Sequence, residues 1–91
     1  MAQIIVTLKI MPESPDVNLE SLVAPITAAI SEEGGTVSAH DEEPIGFGIK
    51  ALLVTFSRDE SLGNLDGIEE RVSALTGVES CESTNVRRAL G

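Results

Sequence analysis

Two stretches of this chain carry the same pattern of a capping residue followed by apolar residues. Asn18, Leu19, Leu22, Ile26 and Ala29 recur as Asn64, Leu65, Ile68, Val72 and Leu75 at one constant offset. In each set the apolar residues fall at helical spacing behind an asparagine, a side chain that caps helix starts. A strand-like run flanks each candidate helix on both sides. Residues 3 to 11 alternate, with Ile4, Val6, Leu8 and Ile10 on one face and Ile5, Thr7, Lys9 and Met11 on the other. "MPESPDVN" breaks that strand with two prolines, and "EEGG" stops the first helix. Pro25 falls inside this helical pattern and removes one backbone hydrogen bond, which predicts a bend or a late helix start. "TVSAHD" then reads as a short strand with Val37 and Ala39 facing one way. "EEP" is expected to turn the chain into a longer strand over residues 48 to 57, with Leu52, Val54 and Phe56 on one face. "SRDESLGN" reads as a loop. Asn64 caps the second helix, Gly77 stops it, and a last strand runs from Val78 towards the "VRRALG" end.

The order is β-α-β-β-α-β, two split β-α-β units of one size. That is the pattern of a ferredoxin-like α+β sandwich. Its four-stranded antiparallel sheet carries two helices on one face and leaves the other face available to a partner. With 91 residues and 42% hydrophobic content, the chain is expected to form one domain over residues 1–91 with a small core.

Charge narrows the function. Fifteen Asp and Glu face six Lys and Arg, for a net charge of −9. Such a field repels phosphate backbones, so direct nucleic-acid binding is disfavoured. The absence of Trp and Tyr removes most stacking platforms for single strands. No apolar run approaches the roughly 18 residues of a membrane span. "MAQIIVTLKI" reads as a strand and not as a leader. The single cysteine, Cys81, cannot form an internal disulfide, which points to a reducing cytoplasm. The acids are dispersed and Lys9 and Lys50 are the only lysines, a pattern shared by proteins of salt-loving organisms and by ordinary acidic proteins.

Signatures of covalent chemistry are missing. The chain has no phosphate-binding G-x-x-x-x-G-K-[ST], no G-x-G-x-x-G, no G-x-S-x-G and no H-E-x-x-H. His40 stands beside Asp41, Glu42 and Glu43, but one imidazole with carboxylates on alternating strand faces rarely holds a metal. It reads as a polar residue at a strand end. Cys81 has no base in view and reads as a packing residue. Ser14, Ser31 and Ser61 precede turns or helices and read as local hydrogen-bonding residues. Neither catalysis nor a cofactor is expected. RNA-recognition modules of this topology need aromatics and basic surroundings, and metallochaperones need a Cys pair in the first loop; both are absent. A regulatory domain that senses a small molecule stays open as the alternative reading.

"PIGFGIK", residues 44 to 50, fits none of these. With "LKIMPESPDVNLESL" before it and "NVRRALG" after it, this segment resembles translation elongation factor 1-beta, in its short archaeal form. The resemblance covers essentially the whole chain. It implies a ferredoxin-like exchange domain that releases GDP from the elongation factor 1-alpha GTPase, with no cofactor and no metal of its own. The free protein is expected to be a monomer. The glycines then acquire a role. Gly46 and Gly48 lack Cβ atoms, so a partner's backbone can approach on either side of Phe47, and Pro44 stiffens the entry. Phe47 reads either as an apolar anchor for a partner's pocket or as a core residue flanked by a bulge. Pro44, Ile45, Gly46, Phe47, Gly48 and Lys50 make up the expected partner-binding segment. Eukaryotic relatives also carry a lysine near the C-terminus that reaches towards the partner's Mg²⁺. Here Arg87 and Arg88 are the nearby cations, and they either take that part or neutralise an acidic surface. Being adjacent on a strand, they are expected to point to opposite faces.

Overall fold

The computed structural model describes residues 2–88. Strand β1 (Gln3–Pro12) leads into helix α1 (Leu19–Glu32), then β2 (Thr36–Gly46), β3 (Ile49–Asp59), a 3₁₀ turn (Glu60–Leu62), α2 (Asp66–Ser73) and β4 (Val78–Arg88). All pairings are antiparallel and the sheet order is β2-β3-β1-β4. This is the ferredoxin-like α+β sandwich expected from the repeated pattern.

The alternation of β1 decides which side of the sheet is dry. Val6, Leu8 and Ile10 are fully buried, as is Phe56, and Leu52 and Val54 are nearly so. They pack against Leu19, Leu22, Ile26, Ala29 and Ile30 of α1 and Ile68 and Val72 of α2. Ile5, Thr7, Lys9 and Met11 lie on the open side and stay half-exposed. Gly35 follows from the closeness of this packing. A Cβ there would stand 2.5 Å from Ile30 Cγ2 and 3.0 Å from the Phe56 ring.

Asn18 starts α1 as expected, its Oδ1 accepting the Glu20 N–H at 3.0 Å. Pro25 lies within the helix and does not delay its start. Its missing N–H removes the helical donor to the carbonyl of Ser21, an exposed residue. Helix α2 is shorter than its apolar spacing suggests. Leu65 is its N-cap and Leu75 lies beyond its end, while Asn64 Oδ1 still accepts the Asp66 N–H at 3.1 Å.

Four expectations about the middle of the chain are corrected. "EEP" does not turn the chain: Glu42, Glu43 and Pro44 pair with Leu52, Ala51 and Lys50, and β2 runs on to Gly46. His40 is therefore in mid-strand and not at a strand end. Val37 and Ala39 do not share a face, because a bulge at Ser38 puts Val37 opposite Phe56 and Ala39 opposite Thr55. At the far end, Ser57–Asp59 extend β3 into what reads as a loop, because Gln3, Ile4 and Ile5 of β1 pair with them.

Candidate functional site

The β2–β3 hairpin closes through Gly46, Phe47 and Gly48, all three with positive φ (132°, 56° and 77°). An L-residue pays roughly 1–2 kcal/mol in the left-handed region, and Phe47 is the only non-glycine residue with positive φ among those described. Glycine carries no such cost, which is why Gly46 and Gly48 can shape the bend on either side. A Cβ at either position would meet nothing within 4 Å. The tip thus stands clear of the body, and Phe47 is 102% exposed. Its reading as a core residue is excluded; the core aromatic is Phe56. Ile45 is also exposed, at 43%.

Beside the tip, the loop between β1 and α1 faces the hairpin. A pocket of about 320 Å³ opens there between Pro12, Pro15, Val17 and Leu19 on one wall and Glu42 and Lys50 on the other. Lys50 Nζ lies 3.8 Å from Glu42 Oε1, and both side chains are exposed. Lys9 reaches Glu43 at the same separation on the open face. Such solvent-exposed pairs contribute about 0–1 kcal/mol each.

Of the eight expected site residues, the structure brings together Pro44, Ile45, Gly46, Phe47, Gly48 and Lys50. Arg87 and Arg88 are elsewhere. They pair with Ile5 and Ile4 at the opposite end of β1. Strand geometry puts them roughly 30 Å from the tip at about 3.3 Å per residue, in a molecule 42 Å long. They point to opposite faces as expected. Arg88 is on the helix side and forks onto Glu60, with Nε and Nη2 each donating at 2.9 Å. Arg87 is on the open side. Residues 89–91 of the "VRRALG" end lie outside the described residues.

A buried cation at that end was not singled out in the sequence. Arg58 is 6% exposed and pairs with no carboxylate among the described residues. Its Nε donates to the Glu33 carbonyl at 2.9 Å, and Nη1 donates to the Asn64 carbonyl at 2.8 Å and the Gly63 carbonyl at 3.4 Å. It continues the inward series Leu52, Val54, Phe56, and that parity was the available signal. Next to it, the Ser61 backbone N–H and then the Ser61 hydroxyl hold the Asp59 carboxyl below its usual range.

Cys81 faces the helix side opposite Ile10 and packs against the core. Burial, and then the charges of Glu69 and Glu82, push its thiol up to about 12. His40 is exposed on edge strand β2. Among the described residues no group of three or more His, Cys, Asp and Glu side chains is placed to hold a metal ion. None of the described helices is long and apolar enough to cross a membrane.

Fold and tip together define a ferredoxin-like module whose most exposed hydrophobic side chain, among the described residues, is held out on a glycine-flanked turn. The family described as the EF-1 guanine nucleotide exchange domain matches residues 5–89. Full-length similarity points the same way. The chain is 43% identical over 90 residues to elongation factor 1-beta of Methanobrevibacter smithii, covering 99% of this chain and 100% of that protein. It is 42% identical to elongation factor 1-beta of Methanothermobacter thermautotrophicus with the same coverage. Against elongation factor 1-beta of Methanosphaerula palustris it is 43% identical over 82 residues, 90% of this chain and 92% of that one. The chain belongs to the EF-1 guanine nucleotide exchange family, the nucleotide-exchange factors of translation elongation.

Proposed function

We propose that this protein promotes exchange of GDP for GTP on the elongation factor 1-alpha GTPase in the cytoplasm, and that the β2–β3 hairpin is its docking element. Residues 1–91 act as one exchange domain, with no covalent chemistry and no cofactor. The observation that carries the docking role is Phe47, a fully exposed aromatic on a turn of three positive-φ residues. The turn holds the ring clear of the body, so its burial in a partner's pocket would remove its apolar surface from water. Pro44, in mid-pairing with Lys50, and Ile45 extend the same surface.

Exchange of this kind needs differential binding only. The factor must hold the empty or distorted GTPase more tightly than the GDP-bound form. By linkage, GDP then loses on docking the same factor that the protein loses when GDP rebinds; a coupling of about 3 kcal/mol corresponds to roughly 150-fold. The partner's phosphate-holding loop and Mg²⁺ site are the elements whose distortion releases nucleotide. The direct test is release of labelled GDP from purified elongation factor 1-alpha with and without this protein. Unchanged release at saturating factor would reject the proposal.

A further inference from the structure

Six cations serve a chain of net charge −9, and five of them are engaged internally. Lys9 and Lys50 pair with Glu43 and Glu42, Arg71 with Glu32 and Glu33, and Arg88 with Glu60. Arg58 is held by carbonyls. Arg87 alone makes no ion pair and no side-chain hydrogen bond among the described residues. The register explains its isolation. On the open face its cross-strand neighbour is Ile5, and beyond Ile5 lies Ser57, so no carboxylate stands in line with it.

Arg88 is in the reverse situation. Its guanidinium occupies both oxygens of Glu60, the bidentate geometry that fixes orientation best. Glu60 is itself fixed, since its N–H donates to the Ala2 carbonyl at 3.1 Å on the turn that Asp59 caps. The end of β4 is thereby tied to the start of β1 and the end of β3. Because neighbouring strand residues face opposite ways, fastening Arg88 to the helix side commits Arg87 to the open side.

We propose that Arg87 is a second docking point, which receives a surface carboxylate of the GTPase, and that the Glu60–Arg88 fork positions it. This rests on the reading that the hairpin binds that GTPase. A carboxylate is favoured over a nucleotide phosphate by shape. Arg87 projects from a strand paired into the sheet opposite Ile5, so it meets a partner across that face and not from an extended tip.

The test titrates the full protein against GDP-loaded elongation factor 1-alpha, reading the concentration for half-maximal stimulation and the maximal rate. Arg87→Gln raises that concentration about tenfold, as expected for one lost charge-assisted contact, with the maximal rate and melting temperature unchanged. The difference shrinks with added salt. Ser73→Asp, an exposed change of the same net charge on α2, leaves the titration unmoved. Arg88→Ala weakens binding by a smaller factor, and the exchange Glu60→Arg with Arg88→Glu restores it. With nucleotide-free GTPase the Arg87→Gln loss persists; a loss seen only with GDP bound would assign the contact to a phosphate and overturn the carboxylate. Equal titrations for the parent and Arg87→Gln, or an equal loss in Ser73→Asp, overturn the second contact. Failure of the double exchange to restore binding overturns the positioning role. If the parent does not stimulate GDP release, or Phe47→Ala matches the parent, the hairpin reading fails instead.

Discussion

Replacing Phe47 by alanine removes a ring and leaves the backbone in place, so its consequences can be worked out term by term. The ring is 102% exposed, so it contributes no buried area to folding. Alanine at φ 56° carries the same left-handed penalty as phenylalanine, so backbone strain is unchanged. The expected change in stability is therefore close to zero, and the melting temperature should stay within about 2 °C of the parent, given roughly 4–8 °C per kcal/mol in a domain of this size. Phe47→Gly relieves the strain but frees the unfolded chain by a comparable amount, so it too should fall within about 1 kcal/mol of the parent. Phe56→Ala is the contrast. That ring is fully buried, and its loss should cost about 3–5 kcal/mol. In exchange the order reverses. An anchor worth at least about 2 kcal/mol implies a loss of roughly 30-fold in the factor's affinity. Stimulated GDP release from elongation factor 1-alpha, measured beside thermal melts of the same samples, checks both halves. A Phe47→Ala protein that melts many degrees lower, or one that stimulates release as well as the parent, would refute the reasoning.

Raising KCl from 0.1 M to 1 M shortens the Debye length from about 10 Å to about 3 Å, and with a net charge of −9 the melting midpoint should rise clearly; a flat or falling response would remove the case for adaptation to salt. Arg58→Ala strands three carbonyls beneath the 3₁₀ turn and should cost about 2–4 kcal/mol in urea unfolding, with Arg58→Lys recovering only part; an unchanged midpoint would show that water replaces the guanidinium freely. Cys81, with its thiol pushed up to about 12, should hold roughly one part in ten thousand as thiolate at pH 8, so alkylation of the folded protein should be far slower than in urea. Equal rates would contradict its burial. Gly35→Ala should destabilise by about 1–3 kcal/mol, since the added Cβ would collide with Ile30.

Much of the fold was legible because apolar periodicity records both the local geometry and the side that becomes dry. Val6, Leu8 and Ile10, then Leu52, Val54 and Phe56, could each be assigned to one face of their strand, and the structure joins the two faces in one layer against α1 and α2. "PIGFGIK" was legible for a different reason. The segment carried a family resemblance, while its glycines suited either an exposed bend or a bulge beside a core aromatic, and the turn geometry decided for the bend.

What the tertiary structure decided lies where side chains carry no periodic signal. The polar run from His40 to Pro44 says nothing about strand or turn by itself. It is a strand because β3 supplies its hydrogen-bond partners, and the bulge at Ser38 then sets which way each residue faces. Arg58 has an inward position by parity, yet its burial depends on carbonyls from α1's end and from residues 63 and 64, which meet only when the layers close. Distance is the last such quantity. The sequence determined an acidic module with an aromatic between two glycines and a pair of arginines near its end; only the strand register placed them at opposite ends of the sheet. Helix and strand periods are properties of a few neighbouring residues, whereas the separation of Phe47 from Arg87 and Arg88 is set by how β1 pairs with strands on both sides.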